Sequence, residues 1–121
     1  MDRRATGTLG ERIAEWFLAR RGYRVVERNE RVGRFEVDLI VERGALIVFV
    51  EVKTRGATAW GGAGRALGAA QRVRLAAAAT AYAARFPNRD IRFDVVTVEE
   101  SEDRLVVEHL LDAFGAGGLP R

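Results

Sequence analysis

The 121-residue chain has no cysteine, one histidine and one lysine. Without thiols it can build no disulfide framework, no cysteine-ligated zinc site and no thiol nucleophile. A single histidine excludes His-rich metal centres and argues against a histidine-based triad. Long apolar runs are missing as well. The longest, Ala45 to Val50, has six residues, against the roughly 20 of a membrane-spanning helix. No signal-peptide apolar region follows Arg3 and Arg4, and no GxxxxGK[ST] is present to suggest nucleotide hydrolysis. These absences predict a cytoplasmic protein without a membrane segment, whose chemistry rests on carboxylates, hydroxyls, backbone groups and one lysine.

What is present is a chain 48% hydrophobic and 31% charged, enough apolar material for one modest core. We expect a single domain over residues 1–114 and a frayed tail at 115–121. Charge is unevenly spread: residues 1–98 carry +7 and residues 99–121 carry −4. A basic body suits a polyanion, because neutralising phosphates releases counterions. Of the 20 cations 19 are arginine, and the exception is Lys53.

Leu9, Ile13, Trp16 and Phe17 recur at helical spacing, and Gly22 stands where a helix end favours a left-handed residue, so residues 8–21 read as an amphipathic helix. Tyr23 to Arg28 reads as a short strand and Asn29 to Arg34 as a polar connection. Phe35 to Glu42 and Ala45 to Lys53 are strand patterns joined by a turn at Arg43 and Gly44. Thr54 to Gly64, with Trp60, reads as a loop. An Ala-rich helix follows from about Arg65 to Arg85, then a strand at Ile91 to Val98 and an optional last one at Arg104 to Leu110. His109 reads as a strand-surface residue. The order α-β-β-β-α-β implies a mixed sheet, antiparallel through the hairpin and parallel across the helical crossover.

Alternation along the hairpin puts Glu36, Asp38 and Ile40 on one face with Phe49, Glu51 and Lys53. With the turn at Arg43 and Gly44, Glu36 faces Glu51 and Asp38 faces Phe49. Clustered carboxylates on strands repel one another, so solvent, cations or a bound metal must offset them. The pattern Glu36-x-Asp38, twelve residues, Glu51-x-Lys53 suits Mg²⁺ or Mn²⁺, which oxygen ligands hold while leaving positions for water and phosphate. In this reading the carboxylates hold the metal and Lys53, on the same face as Glu51, orients or activates the attacking water. Asp94 is equally suited to pair with an arginine, and Thr8-x-x-Glu11 matches a capping box. Trp60 is suited either to stack on a base or to pack on its own domain.

Gly10-Glu11, Gly22-Tyr23, Arg28-Asn29-x-Arg31, Glu36-Val37-Asp38-Leu39-Ile40, Val48-Phe49-Val50-Glu51-Val52-Lys53-Thr54-Arg55 and Arg92-Phe93-Asp94-Val95-Val96 together resemble the YraN-type bacterial proteins. These are relatives of archaeal Holliday junction resolvases in the PD-(D/E)XK nuclease superfamily. The resemblance covers about residues 5–98 and implies an α/β, restriction-endonuclease-like α-β-β-β-α-β core, its mixed sheet flanked by helices. It implies that Asp38, Glu51 and Lys53 fill the D…(D/E)-x-K positions, with Glu11 joining from the first helix. Phe35 stands where the family usually has Gly, and Gln71 stands where a Lys is common, as a polar companion of the site. The expected function is a Mg²⁺-dependent DNA endonuclease, with Glu36 and Glu11 assisting through water or the outer shell. Arg31, Arg55, Arg72 and Arg74 would contact phosphates, and the resolvase resemblance suggests a homodimer acting on branched or structured DNA. The alternative is a module of the same fold that binds nucleic acid or a protein without hydrolysis.

Overall fold

A computed structural model describes residues 3–33, 35–56 and 69–113, with backbone alone at 3–8, 35, 55, 56, 69–72, 74, 75 and 78. The elements follow the expected order: α1 (Arg3–Ala19), β1 (Arg24–Val32), β2 (Phe35–Arg43), β3 (Leu46–Gly56), α2 (Ala69–Ala83), β4 (Asp90–Ser101) and β5 (Arg104–Leu110). They form one five-stranded sheet in the order β1-β2-β3-β4-β5. β3 and β4 pair in parallel, and the other neighbours are antiparallel.

α1 ends as the sequence suggests. Gly22 has φ 90°, and the Tyr23 and Gly22 amides bond back to the carbonyls of Leu18 and Ala19 at 3.1 Å each, the paired bonds of a Schellman motif. Its start differs, because the helix begins at Arg3. Thr8 is therefore inside the helix rather than at its cap, and the capping-box reading of Glu11 falls. The inward face also differs. Ala14 and Leu18 are buried, whereas Leu9 is 56% and Trp16 61% exposed.

The sheet is covered on both faces. Toward α1, Ala14, Leu18 and Tyr23 pack on Leu39, Val41, Val48, Val50, Val96 and Val98. Toward α2, Ala79 and Tyr82 pack on Val37, Ile40, Ile47, Phe49 and Phe93. This two-sided burial explains why β3 and β4 read as near-continuous apolar runs. Among the described residues no helix is long and apolar enough to cross a membrane.

The hairpin register departs from expectation. Arg43 pairs with Leu46 and Ile40 with Phe49, so the turn is Gly44–Ala45, with Gly44 at φ 59° as the first central position of a II′ turn requires. Moving the turn by one residue shifts every cross-strand partner by two and leaves the faces unchanged.

A buried polar cluster ties β4 to β5 beneath α1. Asp94, 1% exposed, accepts bonds from Arg92 at 2.8 and 2.7 Å and from the Asp112 amide at 2.9 Å. It also lies 2.7 Å from His109 Nε2. Arg92 in turn donates to the Tyr23 hydroxyl at 2.6 Å. The pairing of Asp94 with an arginine is thus present. His109 is not a surface residue: its side chain is 1% exposed and meets the rings of Phe17 and Tyr23 edge-on. Burial pushes the Asp94 carboxyl up, but the bonds from His109, Arg92 and the Asp112 amide outweigh it and hold the group below the usual carboxylate range.

Candidate active site

Glu11 reaches the sheet because of the glycine before it. Gly10 is buried, and a Cβ there would stand 1.8 Å from Thr54 Cγ2, so any other residue would force α1 off β3 or displace the threonine. This close approach delivers Glu11 to β1 and β2.

Those two strands kink together. Their register runs from Arg28↔Leu39 to Glu30↔Val37, which places Asn29 and Asp38 at the intervening level. Asn29 has φ 49°, a conformation asparagine tolerates better than most residues. Facing alternation breaks there on both strands. Leu39 lies toward α1, yet Val37 and Ile40 both lie toward α2. Likewise Arg28 bonds Glu15 of α1 at 2.6 and 3.0 Å, while Val32 packs toward α2. The Asn29 side chain stands close enough to Glu11 to favour its ionised form, and both line one groove. Residues 29–32 therefore continue β1 rather than forming the expected connection.

Asp38 stands where β2 and β3 part. The described pairing of β2 with β3 stops at Leu39↔Val50, and one residue further the Val52 amide donates to Asp38 Oδ2 at 2.7 Å. A side chain has replaced a ladder bond. Lys53 Nζ and Glu51 Oε1 are 2.9 Å apart. Val50 and Val52 pack toward α1 and Phe49 toward α2, so by alternation Glu51 and Lys53 project on the α2 side. Glu11 and Asn29 approach from α1, and Asp38 lies between the two sets.

The charges interact strongly. Burial, followed by the fields of Glu11 and Glu51, pushes the Asp38 carboxyl up to about 6 against the opposing Val52 bond and Lys53. Burial and the nearby Glu36 raise Glu11, partly offset by Asn29. Asp38 thus feels Glu11, Glu51 and Lys53 together. Glu36 does not face Glu51 as expected: it is exposed, lies opposite Arg31 on β1, and acts on Glu11. Two changes separate them: the shifted register would set position 36 at the level of 53 rather than 51, and the kink at Asp38 removes Glu36 from the face of Ile40. Arg31 is exposed beside it. The side chains of Gln71, Arg72 and Arg74 on α2 and of Arg55 on β3 lie outside the described residues, as does Trp60. Sequence reading missed Asn29 as a partner of the site and Gly10 as its spacer. A glycine inside an amphipathic helix, immediately before an acid, was the available signal.

Among the described residues no group of three or more His, Cys, Asp or Glu side chains is arranged to hold a metal. Mg²⁺, however, is ordinarily held by one or two carboxylates, with water and substrate phosphate completing its shell. Asp38 and Glu51 supply such hard oxygen donors, and Asp38 sits among like charges that a cation would relieve. The donor chemistry fits a hard divalent ion. An open groove of about 460 Å³, lined by Glu11, Arg12, Glu15, Arg28, Asn29 and Leu39, lies between α1 and β1 and reaches Glu11.

Comparison with known proteins agrees with the motifs. Residues 10–98 match the model of the uncharacterised protein family UPF0102. A UPF0102 protein of Anaeromyxobacter sp. strain Fw109-5 is 42% identical, over 98% of this chain and 91% of its own length. One from Symbiobacterium thermophilum is 44% identical over 93% of this chain and 98% of its own. Among solved structures, SfsA of Pyrococcus furiosus in complex with Ca²⁺ is similar with a TM-score of 0.41 and 16% identity, across 89% of this chain and 62% of that one. The chain belongs to the UPF0102 family, the YraN-type group that its motifs resemble.

Proposed function

We propose that this protein is a Mg²⁺- or Mn²⁺-dependent DNA endonuclease of the PD-(D/E)XK type. The observation that carries the reading is Asp38 at the parting of β2 and β3, its carboxyl pushed up to about 6 beside the Glu51–Lys53 pair. Asp38 and Glu51 hold the metal. When bound, it supplies Lewis-acid polarisation of the scissile phosphate and the attacking water. Lys53 orients that water and offsets the negative charge that develops on the phosphate as the phosphodiester bond breaks. Glu11, beside Asn29, and Glu36 accept protons through water. A second reading, a binding module of the same fold without hydrolysis, is favoured by the spread of the carboxylates across both sides of the sheet.

Mn²⁺ titration and a cleavage assay on duplex, single-stranded and branched DNA separate the two readings. Saturable Mn²⁺ binding lost on Glu51→Gln, together with metal-dependent cutting, supports the endonuclease. DNA binding without either leaves the module. Lys53→Arg sharpens the test, because a guanidinium is a wide fork that stays protonated, whereas an ammonium is a compact point charge. This variant keeps its fold and most of its DNA affinity but loses at least about tenfold in cleavage, roughly 1.4 kcal/mol of transition-state stabilisation. Cutting at the parental rate would make Lys53 a generic charge.

Binding itself should be sequence-independent, with log affinity falling linearly with log salt. Affinity insensitive to salt would remove nucleic acid as the partner.

A further inference from the structure

Trp16 lies in a helical stripe with the periodicity of a core face, yet it is 61% exposed. Arg12 and Arg20, four residues to either side, are exposed too, and the Arg20 guanidinium stands 5.1 Å from the Trp16 ring centroid. Residues four apart are neighbours on a helix, so the three side chains make one ridge whose ends lie about 12 Å apart along the axis. Two acids adjoin this ridge in sequence, Glu11 beside Arg12 and Glu15 beside Trp16. Glu15 is bonded by Arg28 and also feels the Arg12 charge, so the fully cationic end of the ridge is Arg20. Arg12 also lines the groove that runs to Glu11 and Asn29. Trp16 is five residues from Glu11, about 7.5 Å along the helix and about 140° around it, so Arg12, between the two, is the link from ridge to groove.

From this we propose that the Arg12–Trp16–Arg20 ridge is a stacking platform for an unpaired base of DNA, with the two arginines on the flanking phosphates. The proposal rests on the nuclease reading and deepens it by naming the substrate class: DNA with a single-stranded or splayed segment next to the scissile bond. An indole face accepts any base, and stacking combined with cationic contacts to the backbone is the sequence-tolerant way to hold a single strand. A base-paired duplex offers no free base face to the ridge. Its binding therefore draws on the arginines and not on the indole.

The test uses the full chain carrying Trp60→Phe, which leaves Trp16 as the single indole of the two in the sequence. Adding oligo-dT should quench its fluorescence, and a duplex of equal length should quench it far less. Trp16→Ala should weaken oligo-dT binding at least about fivefold and shift duplex affinity less than twofold, while Trp16→Phe restores most of the loss. Equal effects of Trp16→Ala on both DNAs, or none on either, would overturn the platform. So would loss of a dimer in sedimentation for Trp16→Ala, which would make the ridge a contact between copies. The nuclease reading survives each of those results if metal-dependent cutting persists. It fails separately, if the parental protein cuts no DNA of any form.

Discussion

An Asp38→Asn variant should melt higher than the parent in EDTA at pH 8 and have no metal-dependent cleavage. Asp38 is largely withdrawn from water and faces Glu11 and Glu51, so its ionised form costs stability. The shift from 3.8 to about 6 bounds that cost at roughly 3 kcal/mol. Solvent screening and the retained Val52 contact, which an asparagine oxygen can also accept, leave an expected gain of about 1 kcal/mol, or ~4 °C for a domain of this size. The pH dependence has a definite sign. A carboxyl raised in the folded state destabilises only where the folded form must give up its proton, so the cost is absent below about pH 4. It grows between about pH 4 and 6 and is level above. The difference in melting temperature between variant and parent should follow that window. Cleavage should fall by at least about a thousandfold, ~4 kcal/mol of transition-state stabilisation, because the variant lacks the carboxylate proposed to hold the metal. A variant that melts lower at pH 8 would make Asp38 the structural partner of a cation and remove it from the metal site.

Asp94→Ala should be the most damaging single substitution to the fold, and it should act at any metal concentration. It strips the counter-charge from Arg92 and leaves the buried His109 Nε2 and the Asp112 amide without the oxygen they face. Breaking a buried pair by removing one partner costs about 3–5 kcal/mol, a large share of the 5–15 kcal/mol that holds a domain together. Asp94→Asn, which keeps one acceptor, should lose less. Because Asp94 is held below its ordinary range, its contribution is present above about pH 4 and is lost as pH falls through the folded-state value. Urea melts of both variants at pH 7 check the order. A loss under 1 kcal/mol for Asp94→Ala would show that water or neighbouring groups replace the carboxylate.

Much of the architecture was legible from periodicity and punctuation. Gly22, the apolar alternation of β2 and β3, and the helical spacing of the Ala-rich segment each report a local backbone preference. Local preference therefore determined the element order, the helix end and the pairing of Glu51 with Lys53 on one face. It could not distinguish Gly44–Ala45 from Arg43–Gly44 as the turn, since a two-residue change of register leaves every side chain on the same face. Nor does local pattern reveal which apolar stripe of α1 is covered. Leu9 and Trp16 have the right spacing, but Gly10 against Thr54 sets the angle of approach, and Ala14 and Leu18 are buried instead.

The sequence by itself determined the kinds of element, their order, the family and the acids and lysine available for chemistry, because those follow from composition, spacing and motif. Only the tertiary structure decided how they meet. It kinks β1 and β2 at Asn29 and Asp38, separates Glu36 from Glu51, and raises the Asp38 carboxyl by burial. It also places His109 beneath α1 against Asp94. Each of these depends on contacts between residues distant in sequence, where packing and desolvation outweigh the local preferences that a sequence displays.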